Sequence, residues 1–211
     1  MDGAQANGFD FGAGALCLDF VNTVDWRHDA ARRRDGLGSY GALVEWGRQA
    51  GLLPDGLVRS LRRRAAEEEQ AAAAALGEAV ALRDAVYRIF AAVIRGGEPA
   101  AADLARLNRA LDRGLRHLRV VPAAGGFAWR WEQPEGDLLP MLWPVARSAA
   151  DLLVSGDLDR VRECDGDPCG WLFLDRSRNR SRRWCDMSGC GNRAKARRHY
   201  QRRRGRAEAG A

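Results

Sequence analysis

Cys164, Cys169, Cys185 and Cys190 fall into the spacing C-x4-C-x15-C-x4-C, which constrains the last quarter of the chain more tightly than any hydrophobic pattern could. Two close pairs separated by a span of that length are what a tetrahedral metal site needs. Each pair sits on a tight turn, and the segment between them folds back to bring the pairs together. The turn chemistry agrees: Gly166 and Pro168 lie inside the first pair, Ser188 and Gly189 inside the second. Between the pairs, GWLFLDRSRNRSRRW is expected to form two strands around a polar turn, with a helix opening at Cys190. The product is a small treble-clef-like zinc finger. Four thiolates leave no open position for water, so one structural Zn2+ is expected rather than a catalytic one. A hairpin and a helix with so little core depend on that metal to fold. The competing reading is four buried or disulfide-paired cysteines. Against it, MDGAQANGFDFGAG lacks the basic start and apolar run of a secretory signal, so a reducing, cytoplasmic setting is expected, where clustered cysteines more often bind metal. Cys17, inside the apolar GALCLDF, reads as a small buried residue.

Charge divides the chain at the same place. The formal net charge is +6, yet the 47 residues from 160 to 206 hold 15 Arg or Lys and five Asp or Glu, a net of +10. The remainder is mildly acidic, at −4. Two arginine clusters flank the cysteine site. Arg176, Arg178, Arg180, Arg182 and Arg183 belong to the expected hairpin tip, where Ser177, Asn179 and Ser181 add donors for phosphate oxygens. Asn192, Arg193, Lys195, Arg197, Arg198, Arg202, Arg203 and Arg204 follow the last cysteine on the expected helix. Self-repulsion among such charges is unfavourable unless an anion is near, and an exposed helix fits the major groove of duplex DNA. Double-stranded DNA is therefore the expected partner. On this reading Arg193 and Arg197 read sequence and the other arginines contact phosphate. RNA or another polyanion, a protein-interaction module, and a merely solvated charged face are the alternatives. A homodimer would add base contacts that a lone finger lacks, although no heptad seam is present; any small-molecule effector is unspecified.

The body before the finger reads as helices. Ser39 is placed to cap a helix that Gly51 stops, and Pro54 suits the first turn of the next. The stretch ALGEAVALRDAVYRIFAAVIRGG carries a wide apolar face and ends at Gly96 and Gly97, with the polyalanine run 71–75 as helix or as a break. Pro99 opens a helix with Leu104, Leu107, Leu111 and Leu115 at helical spacing. Two β-prone runs flank PAAGG and predict a hairpin; a further helix is expected over 145–154. The fold class is thus mainly α with a short β-hairpin, divided into a helical domain over 1–157, the finger over 158–206 and a disordered tail over 207–211. No run of about 20 apolar residues is present, so no membrane span is expected.

Two of these segments resemble known families. CGNR at Cys190–Arg193, preceded by CDGDPCGWLFLDRSRNRSRRWC, resembles the CGNR zinc finger, and ALCLDFVNTVDWR at Ala15–Arg27 resembles the opening of the ABATE domain that precedes such fingers. The resemblance spans essentially the whole chain. It implies a bacterial, stress-induced transcription regulator with a DNA-binding finger, whose four cysteines, Asn192 and Arg193 are all present. Within the ABATE-like opening, Asp19 and Asn22 sit among apolar residues. They are expected to hydrogen-bond backbone and fix a turn, the alternative being the lining of a small-ligand pocket. No zinc-protease, nucleophile-elbow or phosphate-loop motif occurs, and DWRHD at Asp25–Asp29 reads as an exposed loop, so no enzyme is expected.

Overall fold

A computed structural model describes residues 8–132 and 136–208; the side chains of 198 and 202–208 lie outside the described residues. Four of the expected nucleic-acid contacts, Arg198, Arg202, Arg203 and Arg204, fall there. So do residues 209–211 of the expected tail, whereas 207 and 208 continue the last helix.

A short helix, α1 (Leu16–Val21), comes first and is surrounded: Cys17, Leu18, Phe20 and Val21 are all fully buried. A two-residue strand pair, β1 (Val24–Asp25) and β2 (Arg34–Asp35), follows. Then come four long helices, α2 (Tyr40–Gln49), α3 (Asp55–Glu67), α4 (Glu69–Ile94) and α5 (Ala101–Leu115). Ser39 caps α2 as its position predicts, its hydroxyl accepting from the Ala42 amide at 3.1 Å. The polyalanine run lies wholly within α4; the break comes earlier, at Glu68, whose backbone leaves the helical region. The four-leucine stripe of α5 is not its inward face. Leu107 is buried, but Leu104 and Leu115 are exposed. The face that points inward is Asp103, Leu107 and Gly114, because α5 crosses α6 so closely that a Cβ on Gly114 would lie 2.8 Å from Trp143 Cβ. Asp103 can occupy that face because Arg88 of α4 grips it through two hydrogen bonds, at 2.6 and 2.9 Å.

The expected hairpin is present as β3 (Leu118–Ala123) and β4 (Gly126–Trp131), with Ala124 and Gly125 as a two-residue loop. The positive φ of Gly125 and Gly126, +81° and +152°, permits that loop. Helix α6 (Leu142–Val154) starts three residues earlier than the prolines suggest, with Pro144 accommodated in its first turn. The helices enclose one core around Phe20, Trp46, Ile89, Phe90 and Met141, with the Phe20 and Trp46 rings 4.8 Å apart. A positive charge is buried beside them. Arg83 of α4 is wholly enclosed, and its cost is offset by two hydrogen bonds to Asp35 of β2 (2.6 and 2.8 Å) and one to Asp84 (3.1 Å).

After a 3-10 turn at Leu158–Arg160, strands β5 (Val161–Glu163) and β6 (Leu172–Leu174) pair antiparallel. This corrects the expected finger topology. The hairpin brackets the first cysteine pair instead of lying between the two pairs, and residues 175–184 form an irregular loop. Asp175, fully buried, fixes that loop by accepting from the amides of Ser177 (2.8 Å) and Arg182 (3.0 Å). The two-residue alternation of β6 then divides its side chains. Leu172 and Leu174, with Val161, join the core of the helical body, while Phe173 turns toward the cysteines. The helix does not open at Cys190. A π-type turn over Met187–Gly191 precedes α7 (Asn192–Glu208), and Asp186 caps it by accepting from Gly189.

Candidate metal centre

Each cysteine pair is held by its own backbone turn. In the first, the Cys169 amide donates to Gly166 O (2.8 Å) and the Cys164 amide to Trp171 O (2.9 Å), the latter closing the β5–β6 hairpin. Gly166 is required by proximity, since a Cβ there would lie 2.9 Å from Cys190 Sγ and 3.3 Å from Cys164 Sγ. In the second pair, the Gly191 amide donates to Asp186 O at 3.0 Å. The four Sγ atoms converge to within 4.8 Å of one another, with Cys169–Cys185 at 3.7 Å and Cys185–Cys190 at 3.6 Å. Zinc–sulfur bonds of about 2.3 Å in a tetrahedron demand sulfur–sulfur edges of roughly 3.8 Å, so the donor set fits zinc. All four cysteines are free thiols. Without a cation, so tight a cluster does not ionise evenly. Hydrogen bonds from Cys169 and Cys185 hold the Cys164 thiol well below the usual thiol range, while bonding to Cys164 pushes Cys169 and Cys185 upward. Four thiolates share this space only around a divalent ion. Zinc held here by Cys164, Cys169, Cys185 and Cys190 is structural, and its binding supplies folding free energy. Cys17 stands apart, pushed up to about 12 by burial, and is not available as a ligand.

Around the thiols, the arginines do internal work that the sequence did not reveal. Arg193 turns back: its Nη2 donates to Cys190 Sγ at 2.9 Å, and its guanidinium lies 4.8 Å from the Trp26 ring centre. A cation there offsets the negative charge that four thiolates leave on a zinc site. Arg182 stacks over Phe173 at 4.4 Å and donates to the carbonyls of Trp184 and Cys185. Arg183 pairs with Asp165 (2.6 Å), Arg180 with Asp159, Arg176 with Gly14 O (3.0 Å) and Arg197 with Asp167 O (3.0 Å). Asn192 braces the second turn through Ser188 O at 3.1 Å. Arg178 and Lys195 are exposed with no hydrogen-bond or ion-pair partner among the described residues. Arg193 and Arg197 were expected to read DNA sequence; their described contacts are to the finger itself and, for Arg193, to Trp26.

The finger is fastened to the body along β6 and the first knuckle. Asn22 pairs with Leu172 in both directions, its Nδ2 donating to Leu172 O (2.8 Å) and its Oδ1 accepting from Leu172 N (2.9 Å). The amides of Arg27 and His28 donate to the carbonyls of Cys169 (3.1 Å) and Pro168 (3.3 Å). The indole N–H of Trp171 donates to Val24 O (3.0 Å). The segment 25–29 is thus a docking loop and not a freely exposed one. Trp26 holds a positive φ of 51° there, between the guanidinium groups of Arg32 and Arg193, each 4.8 Å from its ring centre. His28 Nε2 meets Glu163 Oε1 at 2.5 Å, and the Tyr87 hydroxyl donates to the same oxygen at 3.1 Å. Asp19 Oδ1 accepts from Ala13 N at 2.9 Å, and burial pushes its carboxyl up to about 6. Sequence reasoning gave no role to Trp26, Arg27, His28 or Glu163, because each acts on a partner more than 100 residues away or on backbone.

Removing Arg193 should weaken the metal site itself. Second-layer partners of metal ligands are typically worth about 10–100-fold in affinity. Arg193→Ala is expected to lose zinc within that range in competition with a chromophoric chelator, and Arg193→Lys to recover part, since lysine keeps the charge but not the planar stack on Trp26. Zinc affinity equal to that of the parent in Arg193→Ala would show that the Sγ contact carries nothing.

Among the described residues no helix is long and apolar enough to cross a membrane. Residues 14–156 match the ABATE family model, described as "putative stress-induced transcription regulator", and residues 160–203 match the CGNR zinc finger. No curated protein matches.

Proposed function

We propose a function from the premise that this chain belongs to the ABATE family and carries a CGNR zinc finger: it is a zinc-dependent, DNA-binding transcription regulator that acts in the cytoplasm without catalysis. Helix α7 supports the reading best. Over Asn192–Glu208 it carries eight Arg or Lys against a single acid, Glu208. The Arg193 and Arg197 side of the helix faces the zinc knuckles, so the other sides are left to a partner. An α-helix held this way matches the width of the major groove, and unpaired cations on it gain by displacing the counterions of a polyanion. In this reading Arg193 and Arg197 set the pose of the helix. Lys195 and Arg178, together with Arg198 and Arg202–Arg204, contact phosphate and base edges.

The test is fluorescence anisotropy of the full chain on duplex DNA, with RNA and heparin as competitors, across a salt series. The affinity for duplex DNA is expected to fall linearly in log–log form, and Lys195→Ala to reduce the slope by about 0.9, the value for one phosphate fewer neutralised. Equal affinity for heparin, RNA and DNA would replace the regulator with a general polyanion binder. Binding that ignores salt, or that persists in a chain ending at Gly191, would remove α7 from the account.

A further inference from the structure

The helical body holds a hollow that no cysteine lines. It lies between α4, α5 and the segment leading into α6, has a volume of 110 Å3, and is floored by Leu82, Leu139, Leu142 and Trp143. Arg106, Arg109 and Arg113 line its α5 side, three and four residues apart and so on one face of the helix. Arg113 is already matched, by Glu78 at 3.3 Å and Asp137 at 3.1 Å. Arg106 and Arg109 have no hydrogen-bond or ion-pair partner among the described residues, and Asp103, one turn before Arg106, is taken by Arg88. Trp143, which closes the floor, is 2% exposed.

We propose that this hollow binds a small organic monocarboxylic acid, with an apolar body about the size of one aromatic ring lying on the floor and the carboxylate held between Arg106 and Arg109. The volume sets an upper bound on size: at 110 Å3 the hollow is smaller than the closed apolar cavity of about 150 Å3 that accepts benzene, so the body is no larger than one ring. The charge follows from two unmatched guanidinium groups, which present paired donors to a planar carboxylate. Glu78 and Asp137, both beside Arg113, disfavour a dianion, which separates a carboxylate from a phosphate ester. In the proposed regulator this is the effector site; that role rests on the regulator reading, whereas binding itself does not.

The zinc-loaded full-length chain is titrated calorimetrically with sodium benzoate, neutral benzamide and cationic benzylamine. Benzoate is expected to bind at least about tenfold more tightly than benzamide, and benzylamine not at all. The double variant Arg106→Ala/Arg109→Ala, changed where the side chains make no internal bond, should lose at least about tenfold in benzoate affinity, with zinc content and melting temperature unchanged. Arg109→Glu should reverse the preference toward benzylamine. The proposal is overturned if benzoate and benzamide bind alike, if the double variant binds benzoate as the parent does, if inorganic phosphate competes as well as benzoate, or if saturating millimolar benzoate gives no binding heat. A chain that binds benzoate but not DNA loses the regulator reading and keeps this site; the reverse outcome keeps the regulator and discards the site.

Discussion

Cys190→Ser is expected to abolish stoichiometric zinc binding and to unfold the protein well beyond the finger. Structural zinc sites of this kind contribute about 10–16 kcal/mol of apparent binding free energy. That matches or exceeds the roughly 5–15 kcal/mol that stabilises an ordinary domain, so the finger has no folded alternative without its metal. The damage spreads because β5 and β6 are shared. Val161, Leu172 and Leu174 are at most 3% exposed and belong to the core of the helical body. At about 1.5–3 kcal/mol for each buried aliphatic side chain, their withdrawal costs roughly 5–9 kcal/mol, comparable with the stability of the body itself. A finger that were merely tethered would unfold alone. Calorimetry of Cys190→Ser should instead show loss of the single cooperative transition, with Cys17→Ala as the control that keeps about one zinc per chain. Full helical content and a parent-like melting temperature in Cys190→Ser would refute the shared core.

Asn22→Ala should be costly and should act at a residue 150 positions away. The carboxamide of Asn22 takes the place of a neighbouring strand for Leu172, satisfying both its N–H and its C=O. Leu172 is fully buried, so no water replaces the lost partners. Each orphaned group costs about 1–3 kcal/mol, for a total of roughly 2–6 kcal/mol. Asn22→Asp should be no milder, because it keeps the acceptor but places a carboxylate beside the Leu172 carbonyl. Urea denaturation measures the loss, and hydrogen exchange locates it, with the Leu172 amide expected to lose protection before the amides of α4. A loss below about 0.5 kcal/mol would place Asn22 among ordinary surface residues.

What the sequence disclosed was whatever is coded locally. Four cysteines on glycine- and proline-bearing turns announce their own convergence, Ser39 announces a helix start, and VVPAAGGFAW announces a tight hairpin. The misreadings share one cause. Strand β5 is three residues long and pairs across the first knuckle, so periodicity had too little to work with, and the longer run after Cys169 looked like a complete hairpin. On α5, four leucines outweighed Asp103 and Gly114, although helix crossing distance and the Arg88 ion pair, neither visible in sequence, set which face turns inward. Arginine was the least legible residue. A guanidinium near zinc can face a phosphate or its own fold, and only the positions of Trp26, Phe173, Asp165 and Asp167 show that Arg193, Arg182, Arg183 and Arg197 face their own fold. Asn22 was legible as a residue that bonds backbone, but not as the clamp on β6.

Under the proposed function, zinc orders the knuckles, the knuckles and Asn22 fasten the finger to the body, and Arg193 and Arg197 would set α7 for a polyanion. The most direct measurement of this account is duplex-DNA affinity of the full chain at one fixed salt concentration, as loaded with zinc, after removal of zinc by a chelator, and after zinc is restored. The account predicts that affinity collapses by at least about 100-fold when the metal is removed, a loss of roughly 2.8 kcal/mol, and returns when it is restored. Undiminished DNA binding by the zinc-free chain would contradict it.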